Sequence, residues 1–176
     1  NKDDGRDFRQ LALLDAKGSV SSYTGAKCVQ SAHHIIGDDF AVQANMMLND
    51  KVVPAMEKAY NNNLHLPLAE RVVEVMKAAQ AAGGDIRGRQ SAALLVVNAE
   101  KGPEWSDKKI DLRVDDHSIP LVELSRLLNI HRAYDHMNKG DLAVENNDMN
   151  LAMIEYSEAE KMQPKNSEMK YWKAVT

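Results

Sequence analysis

Three scarcities limit what this 176-residue chain can be. Its one cysteine, Cys28, cannot form a disulfide within the chain and cannot by itself build a zinc site. The 22 lysines and arginines against 26 aspartates and glutamates leave a net charge of -4, which gives no basic footprint for a nucleic-acid backbone. No apolar run is long enough to cross a bilayer. We therefore expect no nucleic-acid partner and no membrane span, and no motif requires a cofactor.

Strand patterns open the chain. The segment RQLALLDAKGSVSSYT predicts a β-hairpin, because an apolar strand is followed by a short turn containing Gly18 and by a polar returning strand. FAVQANMML, from Phe40 to Leu48, predicts a further strand that places Gln43 and Asn45 on the same face.

Two more strand patterns follow in the middle of the chain. SAALLVV, residues 91–97, predicts a central strand covered on both faces, because its apolar run is unbroken. KIDLRV, residues 109–114, alternates apolar and charged side chains, which predicts a strand with one solvent-facing side and an ion pair between Asp111 and Arg113.

Two helical patterns lie between these strands. KVVPAMEKAY predicts a helix that Asn49 or Asp50 caps, with Pro54 in its first turn. A second helix is expected to begin at Pro67 and to end at the glycine pair that starts with Gly83. Its apolar stripe comprises Leu68, Val72, Val75, Met76 and Ala79.

From Pro120 onward the pattern is helical, with a period of 3.6 residues. Residues at the spacing of a tetratricopeptide repeat (TPR) are Gly140, Ala152, Tyr156, Ala159 and Pro164. A single hairpin of this kind normally stacks on neighbours. We therefore expect that this region is either cut short at Thr176 or docks on the preceding domain.

The stretch GGDIRGRQS, residues 83–91, is the first candidate for chemistry. Its glycines permit a sharp turn, and Arg87 and Arg89 are permanent cations suited to a carboxylate or a phosphate. The alternative is a plain helix-to-strand connection whose arginines pair with Asp85 or face water.

The amides of Gln43 and Asn45 are the second candidate. They share one face of an otherwise apolar strand, and a buried amide requires a hydrogen-bonding partner or a ligand. Side-chain amides also serve as oxyanion donors in acyl transfer. Cross-strand hydrogen bonding is the alternative interpretation.

Secondary candidates are Cys28, Asp115 and His117. Lys27 could lower the pKa of the Cys28 thiol, although a lone cysteine is more often a small packed residue. Asp115 and His117 could move protons, but solvated charge is the alternative because successive strand residues face opposite sides.

Further residues are treated as structural. His33 and His34 fall in a predicted loop with no second cluster at metal-ligand spacing, so no metal site is predicted. Tyr23 and Trp105 are expected to pack rather than to bind a ligand.

Several long motifs together resemble a known family. RQLALLDAKGSVSSYTGAKC, VQANMML, LAERVVEVMKAAQAAGGDIRGRQSAALLVV and KIDLRVDDH occur in order, and the match covers most of residues 6–131. They closely resemble the bacterial and archaeal family catalogued as domain of unknown function 1028, which is grouped with the N-terminal-nucleophile (Ntn) hydrolases.

The resemblance implies an α+β fold, an Ntn-hydrolase-like αββα sandwich, with amide-bond hydrolysis as the expected activity. Residues 1–129 would be the C-terminal portion of that domain and residues 130–176 a TPR-like helical hairpin. Family members begin with roughly another half-domain, which would carry the nucleophile. Asn1 has neither the hydroxyl nor the thiol that a nucleophile needs, and Ala44 replaces the glycine of the family's usual QGNM pattern.

The resemblance also assigns roles to the candidate residues. Arg87, Arg89 and Gln90, with Ser91, would rim the cleft between the sheets and position a substrate. Gln43 and Asn45 would form its polar wall, with Asn45 as an oxyanion donor.

The leading hypothesis is an amidohydrolase that acts on a peptide or a cell-wall-derived amide. The competing hypothesis is a non-catalytic binding or scaffold protein that uses the TPR-like helices. Expected partners are the missing N-terminal segment of the same protein and, through the helices, another protein or a second copy. The association of relatives with the cell wall favours a periplasmic or extracellular location over the cytoplasm.

Overall fold

The computed structural model describes residues 2–100, 102–103 and 107–176, so Asn1 and Trp105 lie outside the described residues. The chain forms two compact units, Asn1–Leu121 and Val122–Thr176. The fold is mixed α/β: within the described residues, six strands pair as three small antiparallel sheets and five α-helices are present.

The first sheet is the hairpin that the sequence predicts. After a single 3-10 turn at Arg6–Phe8, strand β1 (Gln10–Leu14) pairs antiparallel with β2 (Val20–Thr24). Gly18 adopts a φ of +85° in the connecting turn, a conformation that favours glycine. The prediction of a hairpin with Gly18 in its turn is confirmed.

The second sheet corrects two predictions. It pairs β3 (His33–Gly37) with β4 (Phe40–Ala44), so His33 and His34 lie in a strand and not in a loop. Strand β4 ends at Ala44 and does not continue to Leu48, because Met46 takes a φ of +62° that turns the backbone out of the strand.

Two helices pack beside these hairpins. Helix α1 (Val52–Asn62) has no side-chain cap at its N-cap residue, Lys51; the predicted cap, Asn49, instead accepts a hydrogen bond from the Lys51 N–H. Helix α2 (Leu68–Ala81) follows Pro67 as predicted, and Gly83 and Gly84 have φ angles of +139° and +65° after its end. The core between strand and helices contains Val42, Val53 and Val75.

The third sheet pairs β5 (Ala92–Val97) with β6 (Lys108–Val114). The predicted inward face of β6 is confirmed, with Ile110 and Val114 buried. The prediction that β5 is covered on both faces is wrong for the described chain. Leu94 is 3% exposed, whereas Leu95 and Val97 are 58% and 57% exposed, because β5 has one neighbouring strand and no described layer covers its other face.

The second unit is helical. It contains most of α3 (Pro120–Glu145), together with α4 (Met149–Met162) and α5 (Ser167–Val175). Ala152, Tyr156 and Ala159 of α4 are fully buried. A Cβ at Gly140 would collide with the Tyr156 ring, so this glycine lets α3 and α4 approach closely.

Candidate functional site

The loop that links α2 to β5 is pinned at both ends by backbone hydrogen bonds. The N–H of Leu48 donates to the carbonyl of Gly84 at 2.9 Å, and the N–H of Ile86 donates to the carbonyl of Met46 at 2.9 Å. At the far end, the N–H of His117 donates to the Gln90 carbonyl at 2.9 Å. The turn of the chain after β4 therefore fixes where the predicted binding loop lies.

Arg87, the first of the two arginines in this loop, is paired with a carboxylate. The Asp85 carboxylate accepts hydrogen bonds from the Arg87 N–H at 2.8 Å, from Nε at 2.9 Å and from Nη2 at 2.6 Å. Hydrogen bonds from the Arg87 side chain lower the pKa of Asp85 to about 2. Arg87 thus follows the plainer of the two interpretations, in which the arginine pairs with Asp85.

A cleft of about 580 Å³ opens beside this loop. Its polar lining comprises Gln80, Asp85, Arg87, Arg89, Gln90 and Ser91. Its apolar lining includes Met47, Met56, Met76, Ala79 and Leu121. The structure therefore brings all four predicted substrate-binding residues to one concave surface. A cleft with an apolar floor and a few polar groups is the usual form of a small-molecule site.

The polar groups that remain free in the cleft define its chemistry. Arg89, the Gln90 side chain and Ser91 are exposed and make no hydrogen bond or ion pair with the described residues. Because Asp85 already neutralises Arg87, Arg89 carries the one uncommitted positive charge among the described residues of the lining. The arrangement can hold a single anionic group and offer it neutral hydrogen bonds.

The predicted catalytic amides lie apart from these residues. Gln43 lines a second cavity of about 510 Å³, and its Oε1 accepts a hydrogen bond from the Ser22 hydroxyl at 3.2 Å. The Asn45 Oδ1 is buried, and no described residue hydrogen-bonds to it. A buried amide oxygen that accepts no hydrogen bond lowers the stability of the fold. The Asn45 Oδ1 can therefore accept a hydrogen bond from a ligand or from another segment.

The secondary candidates make local contacts. The Cys28 thiol donates to the Arg9 carbonyl at 3.4 Å, while Lys27 contacts the Asp7 carboxylate at 3.7 Å. His117 accepts a hydrogen bond from the Ile119 N–H at 3.1 Å. None of these groups lines either cavity.

The predicted ion pair between Asp111 and Arg113 is wrong. Arg113 pairs with Asp115 at 2.8 Å, and Asp111 pairs with Lys108. Residues two apart on a strand share a face, which lets Arg113 reach Asp115, while the long Lys108 side chain reaches Asp111 three positions along the chain. Asp115 is thereby committed to an exposed ion pair.

Sequence reasoning missed two features. Three methionines, Met47, Met56 and Met76, come from three separate segments to floor the cleft; only Met76 stood in a predicted apolar stripe. A polar network also joins the two hairpins: the Gln10 amide donates to the Thr24 hydroxyl at 2.9 Å, which lies 2.8 Å from the His34 Nδ1. No periodic signal marks contacts between side chains so distant in sequence.

The described residues include no cluster of three or more His, Cys, Asp or Glu side chains arranged to hold a metal ion. Among the helices in that part of the chain, none has the length and apolar character needed to cross a bilayer.

Comparison with known proteins gives two findings. The model of the family DUF1028, described as a family of unknown function, matches residues 1–124. The crystal structure of protein SPO2555 from Silicibacter pomeroyi, which is assigned to the same family, is similar with a TM-score of 0.61 and 29% identity. The similarity covers 72% of this chain and 52% of that one, so the chain spans about half the length of that structure. No curated protein matches the chain.

Proposed function

Because the chain belongs to the family of unknown function DUF1028, we propose that it forms the substrate-binding part of an Ntn-hydrolase-like amide-bond hydrolase. Its substrate would be a peptide or another amide, including one derived from the cell wall. Because the chain spans about half the length of the similar structure, the proposal assigns it the substrate-binding groups and does not assign it the nucleophile.

One observation carries the proposal. The side chains of Arg89, Gln90 and Ser91 have no described partner, and they line the same cleft as three methionines. Hydrolysis requires that a substrate be held in one orientation while its carbonyl is attacked. Exposed donors beside apolar side chains can supply such orientation, because they can exchange bound water for polar groups of a substrate.

Two further observations support the enzyme. No described residue hydrogen-bonds to the Asn45 side chain, whose Oδ1 is buried, so its Nδ2 group has no described acceptor that competes with an oxyanion. Leu95 and Val97 of β5 are exposed, and in an αββα sandwich the second sheet and its flanking strands would cover such a face.

The test is amide hydrolysis by the protein as cells produce it, measured by release of free amine from N-acylated amino acids and cell-wall peptides. We expect Asn45→Ala to lower kcat about 100-fold or more. Arg89→Ala should mainly raise KM, because it removes a group that binds substrate and transition state alike.

Arg113→Ala is the matched control, since Arg113 is an exposed arginine outside the cleft that pairs with Asp115. The enzyme proposal fails if no amide is hydrolysed, or if the Asn45 and Arg89 variants turn over every substrate as the parent does.

The scaffold function is kept as a second candidate on one specific observation. Tyr171, Trp172 and Val175 are exposed on α5, an unusual concentration of apolar surface on a nine-residue helix. A TPR-like array would cover them with a further helix or a partner. Trp172→Ala combined with Tyr171→Ala should then abolish any self-association seen in analytical ultracentrifugation while leaving amide hydrolysis unchanged.

A further inference from the structure

Met56 and Met76 line both the cleft beside Arg89 and the second cavity that contains Gln43. These two side chains therefore stand between the cavities. We propose that the two cavities bind one ligand, an unbranched acyl chain that ends in a single carboxylate, with the carboxylate at Arg89 and the chain passing the two methionines. Within that ligand, an amide bond joins the acyl chain to the part that carries the carboxylate. This amide rests on the proposed function, and the inference adds the class of substrate.

The carboxylate end follows from the charges of the cleft. Asp85 and Arg87 neutralise each other, and Arg89 is left with one positive charge and no described partner. Gln90 and Ser91 add neutral hydrogen-bonding groups beside it. One free guanidinium selects one negative charge, and its planar donors match a carboxylate.

The chain is proposed to pass from one cavity to the other between Met56 and Met76, and the chemistry of methionine supports this passage. Both methionines are half-buried, one on α1 and the other on α2, so they are held by their helices but not locked in the core. Methionine is unbranched and adopts many rotamers, which lets it move aside for a slender chain and then pack against it. A branched or aromatic pair would close the same passage.

The chain end follows from the lining of the second cavity. Its walls are largely apolar and include Leu14, Val20, Phe40, Val42, Leu68 and Val72. Its polar members are Gln43, which is hydrogen-bonded to Ser22, Tyr60, whose hydroxyl accepts from Arg71, and Asp39. The Asp39 carboxylate would repel an anionic group. The lining therefore fixes the orientation, with the charged end in the cleft and the apolar end here.

Calorimetric titration of the full chain with matched probes tests the carboxylate. N-decanoylglycine is compared with N-decanoylglycinamide, which differs only in the missing charge. We expect the acid to bind about tenfold more tightly. Arg89→Gln should remove that difference, and Arg113→Gln should preserve it. Equal binding of acid and amide by the parent, or an unchanged preference in Arg89→Gln, would overturn the assignment of Arg89.

An acyl series tests the passage. From N-acetylglycine through N-hexanoylglycine to N-decanoylglycine, we expect binding to tighten by about fourfold for each methylene that is buried. Val72→Trp fills the second cavity and should abolish the gain of the longest chain while sparing the acetyl compound. If that variant fails to fold, Leu14→Trp places the same ring in the cavity from an exposed strand position. A parent affinity that does not depend on chain length overturns the proposal.

Two sources share this chemistry, a fatty acid and an N-acyl amino acid, and decanoate separates them. Tighter binding of N-decanoylglycine supports the amide ligand, whereas equal or tighter binding of decanoate overturns that part of the inference. If no amide is hydrolysed but binding still depends on the carboxylate charge and on the chain length, the proposed hydrolase function fails and the proposed ligand class stands. If amides are hydrolysed but binding depends on neither charge nor chain length, the proposed ligand class fails and the hydrolase function stands.

Discussion

Asp85 binds the guanidinium of Arg87 through both carboxylate oxygens, at 2.9 Å and 2.6 Å, within a single turn of the chain. This ion pair gives the two arginines of the loop different roles. Arg87 shapes the turn, and Arg89, two residues later, keeps its charge for the cleft.

Replacement of Arg87 should release the Asp85 carboxyl. Because the Arg87 hydrogen bonds hold the pKa of Asp85 at about 2, their stabilisation is present above the ordinary value of 3.8 and is lost as pH falls toward 2. In Arg87→Gln the pKa should return toward 3.8, as followed by the carboxyl carbon shift in an NMR titration. Arg89→Gln is the control and should leave the titration unchanged; an equal response in both variants would contradict the pairing.

Removal of the Asn45 amide should not destabilise the fold. Its buried Oδ1 has no described donor, so Asn45→Leu, which keeps the branched outline, should leave the free energy of unfolding unchanged or raise it by about 1 kcal/mol. Urea unfolding measures the change. Gln10→Leu is the contrast, because three acceptors lie within hydrogen-bonding distance of the Gln10 amide nitrogen, and it should cost about 1–3 kcal/mol. A similar loss in Asn45→Leu would mean that this amide is already bonded.

A methyl group at Gly140 should separate α3 from α4. The added Cβ would collide with the buried Tyr156 ring, so we expect Gly140→Ala to destabilise this unit by about 1–3 kcal/mol, despite the better helix propensity of alanine. Thermal unfolding followed by helical circular dichroism measures it. Lys139→Ala, at the exposed neighbouring position, should be close to neutral. A Gly140→Ala protein as stable as the parent would show that the helices are not in close contact there.

Alkaline pH should weaken the same helical unit. Burial, and then the hydrogen bond to Asp141, raise the pKa of Tyr156 to about 12. The neutral phenol is therefore favoured in the folded chain. Its contribution is complete below the ordinary pKa of 10.0 and is lost as pH rises from there toward 12. Urea midpoints measured across that range should fall for the parent and stay level for Tyr156→Phe, and parallel curves would exclude the phenol as the cause.

The local elements were predictable because their signals are short-range. Gly18 between an apolar and a polar strand predicted the first hairpin, and Pro67 with the glycine pair at Gly83 predicted both ends of α2. The failures came where neighbours decide the outcome. Strand β4 stops at Ala44 because the next residues pair with the loop at Gly84, a contact across about 40 positions that no local pattern encodes.

The sequence by itself determined where the chemistry-bearing residues are: Arg87, Arg89, Gln90 and Ser91 follow a helix stop, and the motifs around them indicated the family. Only the tertiary structure decided which of them are available. In the folded chain Arg87 pairs with Asp85, whereas Arg89 has no described partner. Both arginines line a cleft together with three methionines from distant segments. The physical reason is that turn and helix propensities act between near neighbours, whereas the pairing of a charge and the shape of a cavity depend on every segment that folds against them.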